Sequence, residues 1–116
     1  MRIALGSDHA GYDLKAQVAT ALAERGHDVV DLGPENGTTS VDYPDYGAAV
    51  GHAVTNGTAE LGVAICGSGI GISIAANKVA GVRAALVHDA TSARLAREHN
   101  HANVLCLGAR LIGPQV

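Results

Sequence analysis

The stretch from Leu61 to Ser73 reads LGVAICGSGIGIS, an apolar run followed by a thiol and a glycine-rich turn. A short, continuous apolar run such as Leu61–Ile65 is typical of a strand that is buried on both faces of a parallel sheet. The small and aliphatic residues from Ile72 to Val79 then predict a helix. Cys66 is therefore expected at the carboxyl end of a strand, immediately before a loop that opens a helix.

Three glycines, Gly67, Gly69 and Gly71, give this loop the character of an anion-binding turn. Glycine allows the backbone to expose consecutive N–H groups, and the N-terminus of the following helix adds partial positive charge. The same field favours the thiolate form of Cys66. The spacing differs from the G-x-G-x-x-G of dinucleotide sites, and the first predicted strand lacks that fingerprint, so we expect no cofactor.

The rest of the 116-residue chain alternates predicted strands and helices. In the first helix, Leu14, Val18 and Leu22 recur every four residues and are expected to face the sheet. The alternation predicts an α/β fold, a three-layer α/β/α sandwich (Rossmann-like) with a parallel sheet of about five strands, as a single domain over residues 1–116. The predicted strands are Arg2–Gly6, Asp28–Leu32, Leu61–Ile65, Val82–Val87 and Val104–Leu107, and the predicted helices are Tyr12–Arg25, Asp42 to about Gly57, Ile72–Val79 and Ala90–Glu98, the last capped by Asp89.

Composition narrows the class of partner. A net charge of −3 and a pI near 6.0 supply no basic surface for nucleic acid or a membrane, which favours a small ligand. The chain starts with a strand-like segment and has no long apolar run, so we expect a cytoplasmic protein. We expect Cys66 and Cys106 to be reduced, with Cys106 a small core residue between two leucines.

Polar residues follow four of the five predicted strands, at the edge where parallel α/β sheets bind ligands. An acid, imidazoles, a thiol, an anion-binding loop and a guanidinium together suit proton transfer on a phosphorylated small molecule. Two of these residues also have structural interpretations, since Asp8 fits equally well as a cap for the first helix and a lone cysteine is more often structural. The residues are Asp8 and His9 after the first strand, Cys66 and its glycine loop after the third, His88 and Asp89 after the fourth, and Arg110 after the fifth.

His99 lies near the end of the last predicted helix. At 1.5 Å per residue, a helix of about ten residues carries it roughly 15 Å from the strand-end cluster of its own chain. A catalytic His99 would therefore enter the site of a neighbouring subunit, which implies a symmetric dimer. Spacing alone slightly favours the alternative, a cationic cap at the helix C-terminus. No recognisable metal-ligand spacing includes His99 or His101, so we expect no metal.

Five separated motifs, in order along nearly the whole chain, carry a family resemblance. They are Gly6–Gly11 (GSDHAG), Asp42–Pro44 (DYP), Cys66–Lys78 (CGSGIGISIAANK), Arg94–Asn100 (RLAREHN), and Asn103–Leu105 continuing to Gly108–Arg110 (NVL and GAR). Together they resemble type B ribose-5-phosphate isomerase, within the wider family of ribose and galactose phosphate isomerases.

The resemblance implies a homodimer, or a tetramer made as a dimer of dimers, that interconverts ribose 5-phosphate and ribulose 5-phosphate without metal or cofactor. Cys66 would be the base that moves a proton between C1 and C2. His99 would assist ring opening, and Asp8 would act at the ring oxygen and hydroxyls. The implied binding residues are the backbone of Gly67, Ser68, Gly69, Ile70 and Gly71 for the enediolate, Ser68 also at the reacting hydroxyls, and His9, Asn100 and Arg110 for the sugar phosphate.

Three alternatives stay open. The first is isomerisation of a hexose 6-phosphate such as allose or galactose 6-phosphate. The second is a non-catalytic sugar-phosphate-binding form, because the family continues into a C-terminal helix with further arginines and nothing after Arg110 is basic. The third and weakest is a redox role for Cys66, which has no resolving cysteine nearby in sequence.

Overall fold

A computed structural model describes residues 1–112 of the chain. Over these residues strands and helices alternate, as the hydrophobic pattern predicted, and the α/β fold class is confirmed. The elements are β1 (Arg2–Ser7), α1 (Tyr12–Glu24), β2 (Asp28–Asp31), α2 (Tyr43–Thr55), β3 (Leu61–Cys66), α3 (Ile70–Asn77), β4 (Ala84–Leu86), α4 (Ala90–Asn100) and β5 (Val104–Gly108).

The five strands form one parallel sheet in the order β2-β1-β3-β5-β4. The connections run towards one edge of the sheet from β1 and towards the other edge from β3, so the topological switch point lies between β1 and β3. Ligands bind at this point in folds of this kind. The register brings the ends of three strands to one edge, because Ser7 pairs with Ile65 and Cys66 pairs with Gly108. The order of the last two strands, which the sequence left open, places β5 inside the sheet and β4 at its edge.

Helices cover both faces of the sheet. On one face, Val50 of α2 and Ile72 of α3 pack with Ala64 and Cys106. On the other face, α1 packs through its leucine and valine stripe on Ile3, Leu5 and their neighbours, as expected. Burial of one such aliphatic side chain contributes about 1.5–3 kcal/mol. Because the core contains small and aliphatic side chains and almost no aromatic ones, the helices pack close to the strands.

Several element boundaries differ from the predicted ones. The third helix begins at Ile70, two residues early, because Gly69 adopts a left-handed φ of 78° that turns the chain directly into it. The fourth strand is only Ala84–Leu86. At its start the backbone bonds to side chains, because Arg83 N donates to Asn103 Oδ1 (2.8 Å) and Ala84 N donates to Asn77 Oδ1 (2.8 Å). The other ends agree within about two residues.

Helix α4 is held differently from the other three. The predicted cap is confirmed, because Ser92 N donates to Asp89 Oδ1 at 2.6 Å. At the other end, Arg97 Nη1 donates to the Ala102 carbonyl at 3.0 Å. No residue of α4 is buried, whereas α1, α2 and α3 each have buried side chains. Helix α4 therefore depends more on the hydrogen bonds at its two ends than the other helices do.

Candidate active site

Cys66 is the last residue of β3 and its side chain is only 4% exposed. The glycine loop folds back over the sulfur, so that Gly69 N donates a hydrogen bond to Sγ at 3.1 Å. Beside it, Ile70 N donates to Ser68 Oγ at 3.2 Å. A backbone N–H aimed at sulfur stabilises negative charge there, as the helix N-terminus also does.

The loop is packed directly on the end of β5, which explains its glycines. A Cβ at Gly69 would lie 2.5 Å from Leu86 Cδ1 and 2.8 Å from the Leu107 carbonyl carbon. A Cβ at Gly108 would collide with the Ser68 carbonyl. No other residue type fits at these contacts without movement of the loop, so the N–H groups are held in place by close backbone packing.

Asp8 follows β1 and is 8% exposed. Its backbone N donates to the Ile65 carbonyl (3.1 Å), and its Oδ1 accepts a hydrogen bond from Gly11 N (3.0 Å). The carboxylate thus shapes the turn into α1 with one of its two oxygens. The same side chain lines the cavity described next, so its structural and functional interpretations are compatible.

A cavity of about 490 Å³ lies at the carboxyl ends of β1, β3 and β5. It brings together seven of the residues that the sequence singled out, drawn from three different strand ends. Gly69 does not line the cavity, and its N–H donates to the Cys66 sulfur. The lining residues are Asp8, Tyr43, Cys66, Gly67, Ser68, Ile70, Gly71, Arg110 and Leu111.

Arg110 places a positive charge in the cavity that Cys66 also lines. Its backbone N donates to the Gly67 carbonyl at 2.9 Å, which continues the pairing of β3 and β5 past the ends of the strands. Its guanidinium lies against Gly67, where a Cβ would be 3.3 Å from Nη1. The cavity therefore combines a carboxylate, a thiol held by an N–H donor, and a cation suited to a phosphate.

Comparison with known proteins gives this cavity its context. The sequence model of the Ribose/Galactose Isomerase family matches residues 3–116. The chain belongs to the ribose/galactose isomerase family. It is 46% identical over 112 residues to ribose-5-phosphate isomerase B of Escherichia coli, covering 97% of this chain and 74% of that protein. The resemblance seen in the five motifs is thereby confirmed, and with it the expected enzyme class, an isomerase.

Two further members of the ribose/galactose isomerase family mark its range. The solved structure of Clostridium thermocellum ribose-5-phosphate isomerase B superposes with a TM-score of 0.96 at 51% identity, over 99% of this chain and 77% of that one. A galactose-6-phosphate isomerase subunit of Clostridium acetobutylicum is 45% identical over 116 residues, covering 97% of this chain and 65% of that protein. The family thus includes proteins named for five-carbon and for six-carbon sugar phosphates.

Besides Gly69, three predicted site residues of this isomerase lie outside the cavity of their own chain. His9 is turned towards the loop before α2, where its Nδ1 accepts a hydrogen bond from Val41 N at 3.2 Å. His99 and Asn100 are exposed at the end of α4. Asn100 lines a different cavity, and its carbonyl accepts a hydrogen bond from Arg83 Nε at 2.6 Å.

Two residues line the cavity that were not predicted as site residues, Tyr43 and Leu111, and Tyr43 is the polar one. It is the first residue of α2, and its ring lies on Gly71, where a Cβ would be 2.6 Å from the ring atoms Cε1 and Cζ. The DYP motif was interpreted as a helix start, which it is. The scarcity of aromatic residues is the sequence feature that singles out Tyr43, because the chain has three tyrosines and no phenylalanine or tryptophan.

Cys106 provides an internal contrast to Cys66. Burial raises the pKa of the Cys106 thiol to about 12, and the neighbouring Cys66 adds to this shift. Cys106 therefore stays a neutral thiol at physiological pH, as expected for a core residue. Within residues 1–112, no group of histidine, cysteine and acidic side chains is arranged to hold a metal ion, and no helix has the length and apolarity needed to cross a membrane.

Proposed function

We propose that this protein is an aldose–ketose isomerase that interconverts ribose 5-phosphate and ribulose 5-phosphate through an enediolate. One observation carries the proposal. The Cys66 thiol, held by the Gly69 N–H, shares a cavity with the Asp8 carboxylate and the Arg110 guanidinium. The 46% identity to a protein named ribose-5-phosphate isomerase B supports the choice of substrate.

Cys66 is the base in this mechanism. In open-chain ribose 5-phosphate, the thiolate removes the proton from C2, and the C2–H electron pair forms the C1–C2 double bond while the carbonyl electrons move to O1. The resulting enediolate is stabilised by backbone N–H groups of the loop, and preorganised donors of this kind contribute several kcal/mol. The O2 proton is transferred to O1, the O2–H electron pair forms the C2 carbonyl, and the C1–C2 double-bond electrons take up at C1 the proton that the Cys66 thiol returns.

The other cavity residues bind and orient the sugar. Asp8 keeps one carboxylate oxygen on Gly11 N, which fixes the side chain, and acts at the ring oxygen and hydroxyls. Ser68 reaches the reacting hydroxyls from the loop. Arg110 holds the phosphate as a charge-assisted hydrogen-bond donor. His9 lies outside the cavity, and in this proposal it contacts the phosphate through Nε2, because its Nδ1 accepts a hydrogen bond from Val41 N.

The active enzyme is a homodimer in this proposal, because one chain supplies only part of the site. His99 and Asn100 are exposed at the end of α4 and do not line the cavity that contains Cys66. In a symmetric dimer, His99 of the partner subunit completes the site and assists ring opening by proton transfer, while the partner's Asn100 contacts the sugar phosphate. Exposed Ile70 and Ile74 beside the cavity on α3 suit such a contact.

A hexose 6-phosphate is the second candidate substrate. The 45% identity to a galactose-6-phosphate isomerase subunit favours it. The same loop, thiol and cation would serve, because the reaction at C1 and C2 is the same for both sugars. Rates measured in parallel on ribose 5-phosphate, allose 6-phosphate and galactose 6-phosphate distinguish the two candidates.

The direct test of the base is a pair of cysteine variants assayed with ribose 5-phosphate. Cys66→Ala should lower kcat by a factor on the order of 10³ or more, because the proton-transferring group is lost. Cys106→Ala is the matched control, since it removes a neutral core thiol on the neighbouring strand and should keep turnover within a few-fold of wild type. Wild-type-like turnover by Cys66→Ala would rule out this base.

A further inference from the structure

Lys15 is a buried cation that the proposed mechanism does not use. It lies in the first turn of α1, and its side chain is only 2% exposed. Its Nζ donates to Asp31 Oδ1 at 2.6 Å and to the Pro34 carbonyl at 3.0 Å, and it lies 5.1 Å from the ring centroid of Tyr12. Burial of a charge is costly, so a lysine here indicates a role that an apolar side chain of the same length cannot perform.

The two oxygens that Lys15 contacts lie at the end of β2 and at the start of the loop between β2 and α2. Asp31 also accepts a hydrogen bond from Gly33 N at 2.9 Å, and its side chain is half exposed. Pro34, in contrast, is buried, and a buried carbonyl needs a donor. Lys15 supplies that donor and thereby anchors the start of the loop to α1.

The loop that Lys15 anchors is a compact turn. Asn36 Oδ1 accepts hydrogen bonds from Thr38 N and Thr38 Oγ1, each at 3.1 Å. Gly37 packs on α1, where an added Cβ would lie 3.1 Å from Tyr12 Cβ. Because the turn is closed on itself and packed on the helix, a displacement at its start is carried to its end.

The loop ends on His9. Val41 N donates to His9 Nδ1 at 3.2 Å. A backbone N–H can only donate, so Nδ1 is the unprotonated ring nitrogen and the hydrogen is on Nε2. The two nitrogens point to different sides of the ring, so this bond also directs Nε2 away from the loop. The loop thus fixes both the orientation of the ring and the nitrogen that can donate to a phosphate oxygen.

We propose that Lys15 is a positioning residue, which holds the loop between β2 and α2 on α1 so that Val41 orients the His9 ring for the phosphate. This inference rests on the proposed function, in which His9 contacts the phosphate through Nε2, and it adds the residue that holds His9 in place. Lys15 does not line the cavity that contains Cys66. Its effect is therefore on substrate binding and not on proton transfer.

The first test compares the kinetics of Lys15→Met and Val18→Ala, a control on the same helix, with ribose 5-phosphate as substrate. Methionine keeps the length of the side chain and removes the donor, and Asp31 stays hydrated because it is half exposed. Lys15→Met should raise KM about three- to tenfold, the range of one lost hydrogen bond, and keep kcat within twofold. Val18→Ala removes a contact between α1 and the sheet and should keep KM within twofold.

A double-variant cycle separates the positioning of His9 from a general loss of stability. His9→Ala should also raise KM, and adding Lys15→Met to it should change KM by less than a further factor of two. Increases that multiply would overturn the inference, as would a KM of Lys15→Met within twofold of that of wild type. Should Lys15→Met fold poorly, Val41→Pro removes the N–H alone, and an unchanged KM in that variant overturns the inference.

Hydrogen exchange at the Val41 amide tests the same link without turnover. Because a loop amide exchanges by local opening, exchange should be faster in Lys15→Met and in His9→Ala than in wild type, and unaltered in Val18→Ala. Unaltered exchange in Lys15→Met contradicts the inference whatever the kinetics. If wild type turns over no sugar phosphate, the proposed function fails and the phosphate contact of His9 fails with it, whereas exchange at Val41 still decides whether Lys15 holds the ring.

Discussion

The carboxyl end of the sheet and the far end of α4 both carry residues expected to do chemistry, but the chain holds them in different ways. At the sheet edge, Cys66 and Asp8 are nearly buried and are fixed by backbone N–H donors. At the end of α4, His99 and Asn100 are exposed on a helix with no buried residue. A single chain therefore forms the cavity at the sheet edge, whereas His99 and Asn100 at the end of α4 do not line that cavity.

The difference follows from geometry. Parallel strands bring their carboxyl ends to one edge, so residues distant in sequence meet there. A helix that follows such a strand runs back towards the opposite edge and carries its C-terminal residues away from the site. In this fold, strand ends assemble one half of a site, and a helix end is suited to complete the site of another copy.

Of the two effects that test this comparison, the larger concerns the rigidity of the sheet edge. Gly69→Ala should lower kcat/KM by roughly a hundredfold or more, because its Cβ would collide with Leu86 and the β5 backbone and displace the N–H that meets the Cys66 sulfur. The matched control is Gly57→Ala, with a similar φ of 85° but no atom within 4 Å of the added Cβ. It should lose about 1 kcal/mol of stability from backbone strain and keep its activity.

Kinetics and urea unfolding of both glycine variants distinguish the effect of backbone strain at a positive φ from the effect of the collision of the added Cβ with β5. Equal losses of activity in Gly69→Ala and Gly57→Ala would mean that the left-handed backbone, and not the packed loop, is what matters. Full activity in Gly69→Ala would show that the loop N–H groups need no fixed position. Either result would remove the contrast between a rigid sheet edge and a loosely held α4.

The smaller of the two effects concerns α4. Hydrogen bonds from the Ser92 backbone and side chain lower the pKa of Asp89, so its cap contributes stability above the ordinary pKa of 3.8 and loses it as pH falls through the lowered value. Asp89→Ala should therefore cause a small fall in Tm at pH 7 that vanishes in strong acid. The same variant should speed hydrogen exchange in α4.

Asp13→Ala is the matched control for the cap, since Asp13 is an exposed acid in the first turn of α1 without a side-chain cap bond. It should change Tm less than Asp89→Ala and leave exchange in α4 unaltered. Equal effects of the two substitutions would show that α4 does not depend on its cap.

The sequence predicted the half of the site that strand ends assemble. The apolar run before Cys66 and the glycines after it located the loop, and the rule for parallel strands brought Asp8 and Arg110 to the same edge. These residues do line one cavity, while their chemical roles stay predictions. The start of α3 was missed by two residues because the left-handed Gly69 is a backbone property that periodicity does not detect.

Other features depend on contacts that no local pattern encodes. The place of β5 inside the sheet arises from pairing distant in sequence, and at the start of β4 the side chains of Asn77 and Asn103 accept backbone hydrogen bonds. Tyr43 joins the site through a contact with Gly71, 28 positions away in the chain. His9 follows the right strand but is held by Val41 on the loop before α2.

Mixing two inactive variants tests the division of the site most directly. In a hybrid of Cys66→Ala and His99→Ala chains, one of the two sites contains both substitutions and the other contains neither. After verified subunit exchange, an equal mixture should recover roughly a quarter of wild-type activity on ribose 5-phosphate, since about half the dimers are hybrids with one intact site. Activity that stays at the level of the separate variants would contradict a site shared between two copies of the chain.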